Sequence, residues 1–276
     1  MPLLAEGLSY TYETGRASGV VAVRDVSVGV DVGDLVVIAG TTGSGKSTLL
    51  RLLAGLLVPA AGSVTVDGVA PGAREMRGAV SIVFQNPETQ FFAETLRSDV
   101  AFGPRNLGRP EPEADADRAL AAVNLDPSVY GSRSPFSLSG GEARRGAIAG
   151  ALAIGARYLL LDEPTAGLDA EGRRAVRAAL GAERVRSGVV VVTHDPAEFL
   201  DDASHVIALA EGRVAFSGAV DDLYDDPSAY EGAGLALPPI VRVQLLARRL
   251  GMPVPEVTLD PGLAARSLLA ARGGSR

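Results

Sequence analysis

Two groups of residues in this sequence have the types and spacing to act on a phosphorylated ligand. The first is Gly40-Thr41-Thr42-Gly43-Ser44-Gly45-Lys46-Ser47-Thr48, a GxxxxGKS run between the apolar stretch Leu35 to Ala39 and the helix-forming Leu49-Leu50-Arg51-Leu52-Leu53. Its glycines let successive backbone N–H groups turn inward around a polyphosphate, and the helix N-terminus adds a field that favours an anion. Lys46 supplies a mobile positive charge to β- and γ-phosphates, and the Ser47 hydroxyl suits Mg2+. The competing reading is a glycine-rich turn without a ligand; the strand before it and the helix behind it weigh against that. The second group is Asp162-Glu163, directly after the apolar Tyr158-Leu159-Leu160-Leu161. In a parallel α/β sheet, ligands bind beyond the carboxyl ends of the strands, so this pair should emerge beside the first loop. Asp162 then suits an indirect or water-mediated hold on Mg2+, and Glu163 a general base on an attacking water. Taken alone, the pair could also be an acidic helix cap behind a core strand.

The elements that must position these groups alternate along the chain. Short, β-branched apolar runs at Val20 to Val32, Leu35 to Ala39, Val80 to Phe84, Tyr158 to Leu161 and Val189 to Thr193 read as strands of a largely buried sheet. Helical patterns lie between them at Lys46 to Leu57, Ala114 to Val123, Glu142 to Ile154 and Ala170 to Arg184, which is parallel α/β order. Turn signals at Gly33-Asp34 and Val66-Asp67-Gly68 point to an antiparallel β layer on the first half of the core. Residues 89–156 carry few strand signals and several Pro-bounded helical ones, and read as a helical subdomain inserted into a nucleotide-binding core of residues 1–88 and 157–225. Glu211-Gly212 joins two strand-like runs as a hairpin, and residues 226–276 form a helical extension, amphipathic around Pro238 to Leu250.

Bulk properties narrow the function classes. A chain of 276 residues, 47% hydrophobic, can bury one large core or two modest ones. A formal charge of -7 provides no general basic field for nucleic acid, and none is expected as a partner. The absence of cysteine rules out disulfides and thiolate metal sites. Met1 to Glu6 has no signal-peptide character. The longest apolar segment, Gly146 to Leu161, is interrupted by Arg157 and falls short of the roughly 20 residues a spanning helix needs. If the chain works at a membrane, a partner holds it there.

Leu138-Ser139-Gly140-Gly141-Glu142 resembles the signature of ATP-binding cassette proteins, and it lies upstream of Asp162-Glu163 as that family requires. Gln85 matches the family's Q-loop, Ala166-Gly167-Leu168-Asp169 its D-loop and His194 its switch histidine. The ordered set spans about Leu3 to Leu223 and is far more specific than any single member. Read by itself, the Ser-Gly-Gly turn opening a helix near Glu142 is a second anion site of N–H groups and a hydroxyl, or a plain helix cap. The resemblance implies a P-loop nucleotide hydrolase acting on ATP with Mg2+, in which Ser139, Gly140, Gly141 and Glu142 of one chain close over the nucleotide of a second ATPase chain. It further implies that His194 contacts the γ-phosphate and that Gln85 contacts Mg2+ and the attacking water. Tyr12 would stack on adenine, with Tyr10 as the competing aromatic two residues away on the same strand face. His205 reads as structural or exposed.

Phe84-Gln85-Asn86-Pro87-Glu88-Thr89-Gln90-Phe91-Phe92-Ala93-Glu94-Thr95 and Asp99 to Gly108 resemble the ATPase subunit of energy-coupling factor transporters, importers of vitamins or of cobalt and nickel ions. That likeness implies a peripheral protein at the cytoplasmic membrane face, a homo- or heterodimer through its tail, working with a transmembrane coupling protein and a substrate-binding membrane component. Asp99, Phe91 and Phe92 are candidates for a groove that takes coupling helices; both phenylalanines could equally be core of the helical subdomain. A conventional importer ATPase is the alternative, and the Asn86 to Gly108 stretch favours the energy-coupling group. Glu142 stands where the signature more often has glutamine, and Thr41-Thr42 where this group often has His-Asn or Pro-Asn.

Overall fold

The computed structural model describes residues 2–13, 19–70, 73 and 76–273. In chain order the elements are β1 (Leu3–Tyr12), β2 (Val20–Val30), β3 (Leu35–Gly40), α1 (Lys46–Leu53), β4 (Ala61–Val66), β5 (Val80–Val83), α2 (Leu96–Val100), α3 (Phe102–Asn106), α4 (Pro112–Ala122), α5 (Pro127–Tyr130) and α6 (Gly140–Ile154). They continue with β6 (Tyr158–Asp162), α7 (Ala170–Glu183), β7 (Gly188–Thr193), β8 (His205–Ala210), β9 (Arg213–Gly218), α8 (Val220–Asp225), α9 (Ser228–Gly232), α10 (Pro239–Arg249) and α11 (Pro261–Gly273).

The central sheet has the order β5-β6-β7-β3-β8-β9, parallel except where β9 returns antiparallel beside β8 across the Glu211-Gly212 turn. Strands β3, β6 and β7 are buried along their whole length, which is why their sequences run as unbroken apolar stretches instead of alternating. Alternate residues nevertheless face opposite layers. Leu35, Val37, Leu159, Leu161, Val189 and Val191 pack toward α4, α6 and α7. Val36, Ile38, Leu160, Val190 and Val192 pack toward α1 and the second sheet.

That second sheet is antiparallel, with order β2-β1-β4. The run from Val20 therefore corrects one expectation: β2 belongs to this layer and not to the buried parallel sheet. Its Arg24, Asp25 and Ser27 are exposed while Val23, Val26, Val28 and Val30 are buried. The helix expected from Lys46 to Leu57 is also shorter. It ends at Leu53, with Ala54 as its cap and Gly55 in the left-handed region at φ 70°, so the chain can turn back into β4.

Helices α2 to α6 lie between β5 and β6 and pack over one face of the sheet. Beyond β9, Tyr224, Tyr230, Leu235, Leu237 and Val241 pack with Ala39, Val206 and Ala208, and α10 and α11 pair through Ala247, Val254 and Ala271. Among the described residues no helix is long and apolar enough to cross a membrane.

Candidate functional site

Register decides where the chemistry gathers. Ala39 of β3 stands opposite Thr193 of β7, Val192 of β7 opposite Asp162 of β6, and Leu161 of β6 opposite Val83 of β5. Four loops thus leave neighbouring parallel strands on one edge, each about 5 Å from the next. They carry Thr41 to Gly45, His194, Glu163 and Gln85.

Gly43 and Gly45 take φ of 84° and 101°, which L side chains rarely adopt. A β-carbon at Gly45 would also fall 2.2 Å from the Ala22 carbonyl oxygen, so the loop sits directly on β2. Lys46 Nζ donates to the carbonyls of Gly40 at 2.7 Å and Thr41 at 3.0 Å. Burial lowers the Lys46 pKa, while the charges of Glu163 and Asp162 oppose that shift. Asp162 is buried at the end of β6 and hydrogen-bonded to Ser47; burial raises its pKa, and the Ser47 bond works against that rise. Among the described residues the buried Ser44 hydroxyl has no hydrogen-bond partner.

Glu163 is held from several sides. Its φ of 52° lies in the left-handed region, a strained setting for a residue with a β-carbon. Its amide donates to Val192 O at 2.8 Å. One carboxylate oxygen accepts from the His194 amide at 2.9 Å and lies 2.8 Å from His194 Nδ1; the other accepts from Thr193 Oγ1 at 3.2 Å. The His194 ring remains largely exposed. Tyr12 Oη lies 3.4 Å from Thr48 Oγ1 at the start of α1, whereas Tyr10 packs into the core and meets the Tyr12 ring edge-on at 4.9 Å. Of the two aromatics, Tyr12 is therefore the one beside the phosphate loop.

Ser139, Gly140 and Glu142 form a separate group at the N-terminus of α6. Ser139 caps the helix, and Glu142 accepts from the Ser139 amide and hydroxyl, both at 2.8 Å, and from Tyr130 Oη at 2.9 Å. The Ser139 amide and hydroxyl hold the Glu142 carboxyl below its ordinary range. Asp169 caps α7 by accepting from the Gly172 amide at 2.7 Å. Gln85 is exposed beyond β5. The two phenylalanines divide: Phe91 is core, while Phe92 is 60% exposed and stacks edge-on against Phe102. Asp99 accepts from the amides of Phe92 and Ala93. Phe92, Phe102, Gly103, Gly146 and Gly150 line an open cleft there.

Arg144 is a site residue that the sequence did not single out. Its guanidinium donates to the carbonyls of Glu163 and Gln85. No local pattern separates it from Arg145, whose buried Nε has no hydrogen-bond partner among the described residues.

A parallel sheet with a GxxxxGKS loop between β3 and α1, and carboxylates at the end of β6, defines a P-loop nucleoside triphosphatase. Residues 23–166 match the model of the ABC transporter family. Over its whole length the chain is 42% identical to an energy-coupling factor transporter ATP-binding protein, EcfA2 of Symbiobacterium thermophilum, and covers 99% of it. Among solved structures it is similar to cbiO1 of Clostridium perfringens, described as part of the ABC transporter complex cbiONQ, at 30% identity and TM-score 0.71, covering 87% of this chain and 97% of that one. It is also similar to the dimeric ATP-binding cassette MJ0796 bound to ADP and Pi, at 26% identity and TM-score 0.71, covering 79% of this chain and 98% of that one. The chain belongs to the ABC transporter family and is one of its ATPases.

Proposed function

We infer that this chain is the ATP-hydrolysing motor subunit of an energy-coupling factor importer, driving uptake of a vitamin or of a cobalt or nickel ion through membrane partner subunits. The observation that carries the hydrolytic part is the position of Glu163, a carboxylate at a strand end beside the phosphate loop and in contact with His194. Full-length identity to EcfA2 supports the transport branch.

In this reading the backbone amides of the Gly43 to Lys46 turn bind the β- and γ-phosphates of ATP, and Lys46 exchanges its two carbonyl partners for phosphate oxygens. Ser47 and Gln85 would hold Mg2+, with Asp162, already hydrogen-bonded to Ser47, holding it indirectly or through water; oxygen donors of this kind fit an ion that draws its other ligands from phosphate and water. Mg2+ held there would supply neutralisation of the charge on the phosphates. Glu163 takes the proton of the attacking water, His194 turns from Glu163 to the γ-phosphate, and Gln85 orients the water. Tyr12 stacks on adenine. Ser139, Gly140, Gly141 and Glu142 of a second chain, with Asp169 at the interface, complete the site. Residues 1–225 form the cassette, with residues 89–156 as its helical subdomain, and 226–276 serve dimerisation. The cleft at Phe92 and Asp99 receives a transmembrane coupling protein, which works with a substrate-binding membrane component and holds the chain at the cytoplasmic membrane face.

The test is purification of the tagged full chain from its native membranes, with partners identified by mass spectrometry and ATPase activity compared with Glu163→Gln. A multi-span partner with a small solute-binding membrane protein, and turnover reduced about 10^2- to 10^4-fold in the variant with ATP binding kept, is expected. Recovery of a conventional permease or of soluble partners alone would overturn the transport branch; full turnover in Glu163→Gln would overturn the base.

A further inference from the structure

Arg144 lies in the first turns of α6, a helix whose N-terminus is the Ser139-Gly140-Gly141 turn. Its Nη1 donates to Glu163 O at 2.8 Å and its Nη2 to Gln85 O at 2.9 Å. The two carbonyls belong to loops leaving different strands, β6 and β5. A planar guanidinium with two donors in fixed relation therefore sets the distance and angle between those loops, which a single point charge cannot do.

The consequence is greatest at Glu163. Its backbone occupies the left-handed region, its amide is tied to Val192 O, and its carboxylate is tied to Thr193 and His194. The carbonyl is the remaining backbone handle; it accepts from the Ala166 amide at 3.2 Å within its own loop and from Arg144 at 2.8 Å, and the bond to Arg144 ties it to α6. Rotation of Glu163 about its N–Cα bond would carry its carbonyl and side chain together and swing the carboxylate away from the edge where Lys46 and His194 converge, and a held carbonyl opposes that rotation. At the same time Arg144 reaches the loop beginning at Gln85, which leads to the cleft lined by Phe92 and Phe102.

We propose that Arg144 is a positioning residue that fixes the Glu163 peptide and the Gln85 loop in register, so that displacement of α6 or of that loop is felt at the base. The inference rests on Glu163 being the base. It assigns Arg144 no contact with ATP and no proton; its two N–H donors are the whole of its action.

The test uses the full chain, with turnover and KM for ATP measured alongside fluorescent-nucleotide affinity and thermal midpoint. Arg144→Ala should lower kcat about 10- to 100-fold, the scale of a small misplacement of a reacting group, with KM, nucleotide affinity and midpoint little changed. Arg144→Lys, able to reach one carbonyl at a time, should fall between. In a Glu163→Gln background Arg144→Ala should cost clearly less than in the wild-type chain, because the share of its effect that runs through Glu163 is gone and only the Gln85 loop is left to position. Wild-type kcat in Arg144→Ala with Glu163→Gln inactive would overturn this inference alone. Equal losses of Arg144→Ala in both backgrounds, or a kcat loss that tracks the thermal midpoint in both Arg144 variants, would also overturn it. Full turnover in Glu163→Gln would overturn the base and this inference together.

Discussion

Glu142 accepts three hydrogen bonds, two from the Ser139 amide and hydroxyl of the turn it follows and one from Tyr130 of α5. The Ser139–Glu142 pair is a capping box, and the carboxylate also sits at the favourable end of the α6 dipole. Because its folded pKa is lowered, the charged form is the one that favours folding. Its contribution is present above the ordinary carboxylate range and fades as pH falls through the lowered folded value. Glu142→Ala should therefore reduce stability by about 0.5–2 kcal/mol near neutral pH, the scale of a lost cap, and the gap to wild type should close on acidification. Chemical denaturation of both proteins across pH 3 to 8 checks it; a gap that persists at the acid end would contradict the assignment. At the same scale, replacement of the usual glutamine by Glu142 leaves the turn intact, because every bond received here is one a carboxylate can accept.

At the scale of elements, a buried amide ties α10 to the segment that leads into α11. Gln244 on α10 is fully buried; its amide nitrogen donates to Ile240 O and Thr258 O, and its oxygen accepts from the Thr258 amide. Gln244→Ala leaves both polar groups of Thr258 without that partner, at about 1–3 kcal/mol for each group that stays buried. The expected result is faster amide exchange in residues 254–273 with little change in the nucleotide site; unchanged exchange there would show that the helix pair stands on its apolar contacts alone. Strand β1 shows the same dependence on irregular detail. Gly7 takes φ of 59° and the register against β2 shifts between Ala5 and Leu8, so the alternation that would announce a strand is interrupted by a bulge.

For the whole molecule, the tail bears both on the site and on assembly. A β-carbon on Gly234 would stand 3.0 Å from Thr41 Cγ2, so the segment after α9 lies against the phosphate loop. Further on, α10 buries Val241, Gln244 and Ala247 yet exposes Val243, Leu246 and Leu250, an apolar stripe at helical spacing. If residues 226–276 serve dimerisation, Leu246→Asp with Leu250→Asp should weaken self-association at least about 100-fold, since burying each leucine contributes about 1.5–3 kcal/mol. Sedimentation velocity reads that change, and the thermal midpoint of the monomer should hold because both side chains are more than half exposed. An unaltered dimer would place the interface elsewhere.

Much of the site was legible in the sequence because its chemistry is local. The Gly40 to Thr48 loop, the Asp162-Glu163 pair and the Ser139-Gly140-Gly141 turn are contiguous, and each points to a chemistry through its own residue types and neighbouring elements. The buried strands β3, β6 and β7 were legible for a related reason: a strand covered on both faces has to be apolar throughout. What the tertiary structure decided is adjacency. The order β6-β7-β3 that sets Asp162, Thr193 and Gly40 on one edge, the placement of β2 in the antiparallel layer, the division of Phe91 from Phe92 and the reach of Arg144 to two distant carbonyls all depend on long-range pairing. Side-chain periodicity says which face a residue takes, but it is blind to which strand lies next to it, since every parallel neighbour offers the same backbone partners.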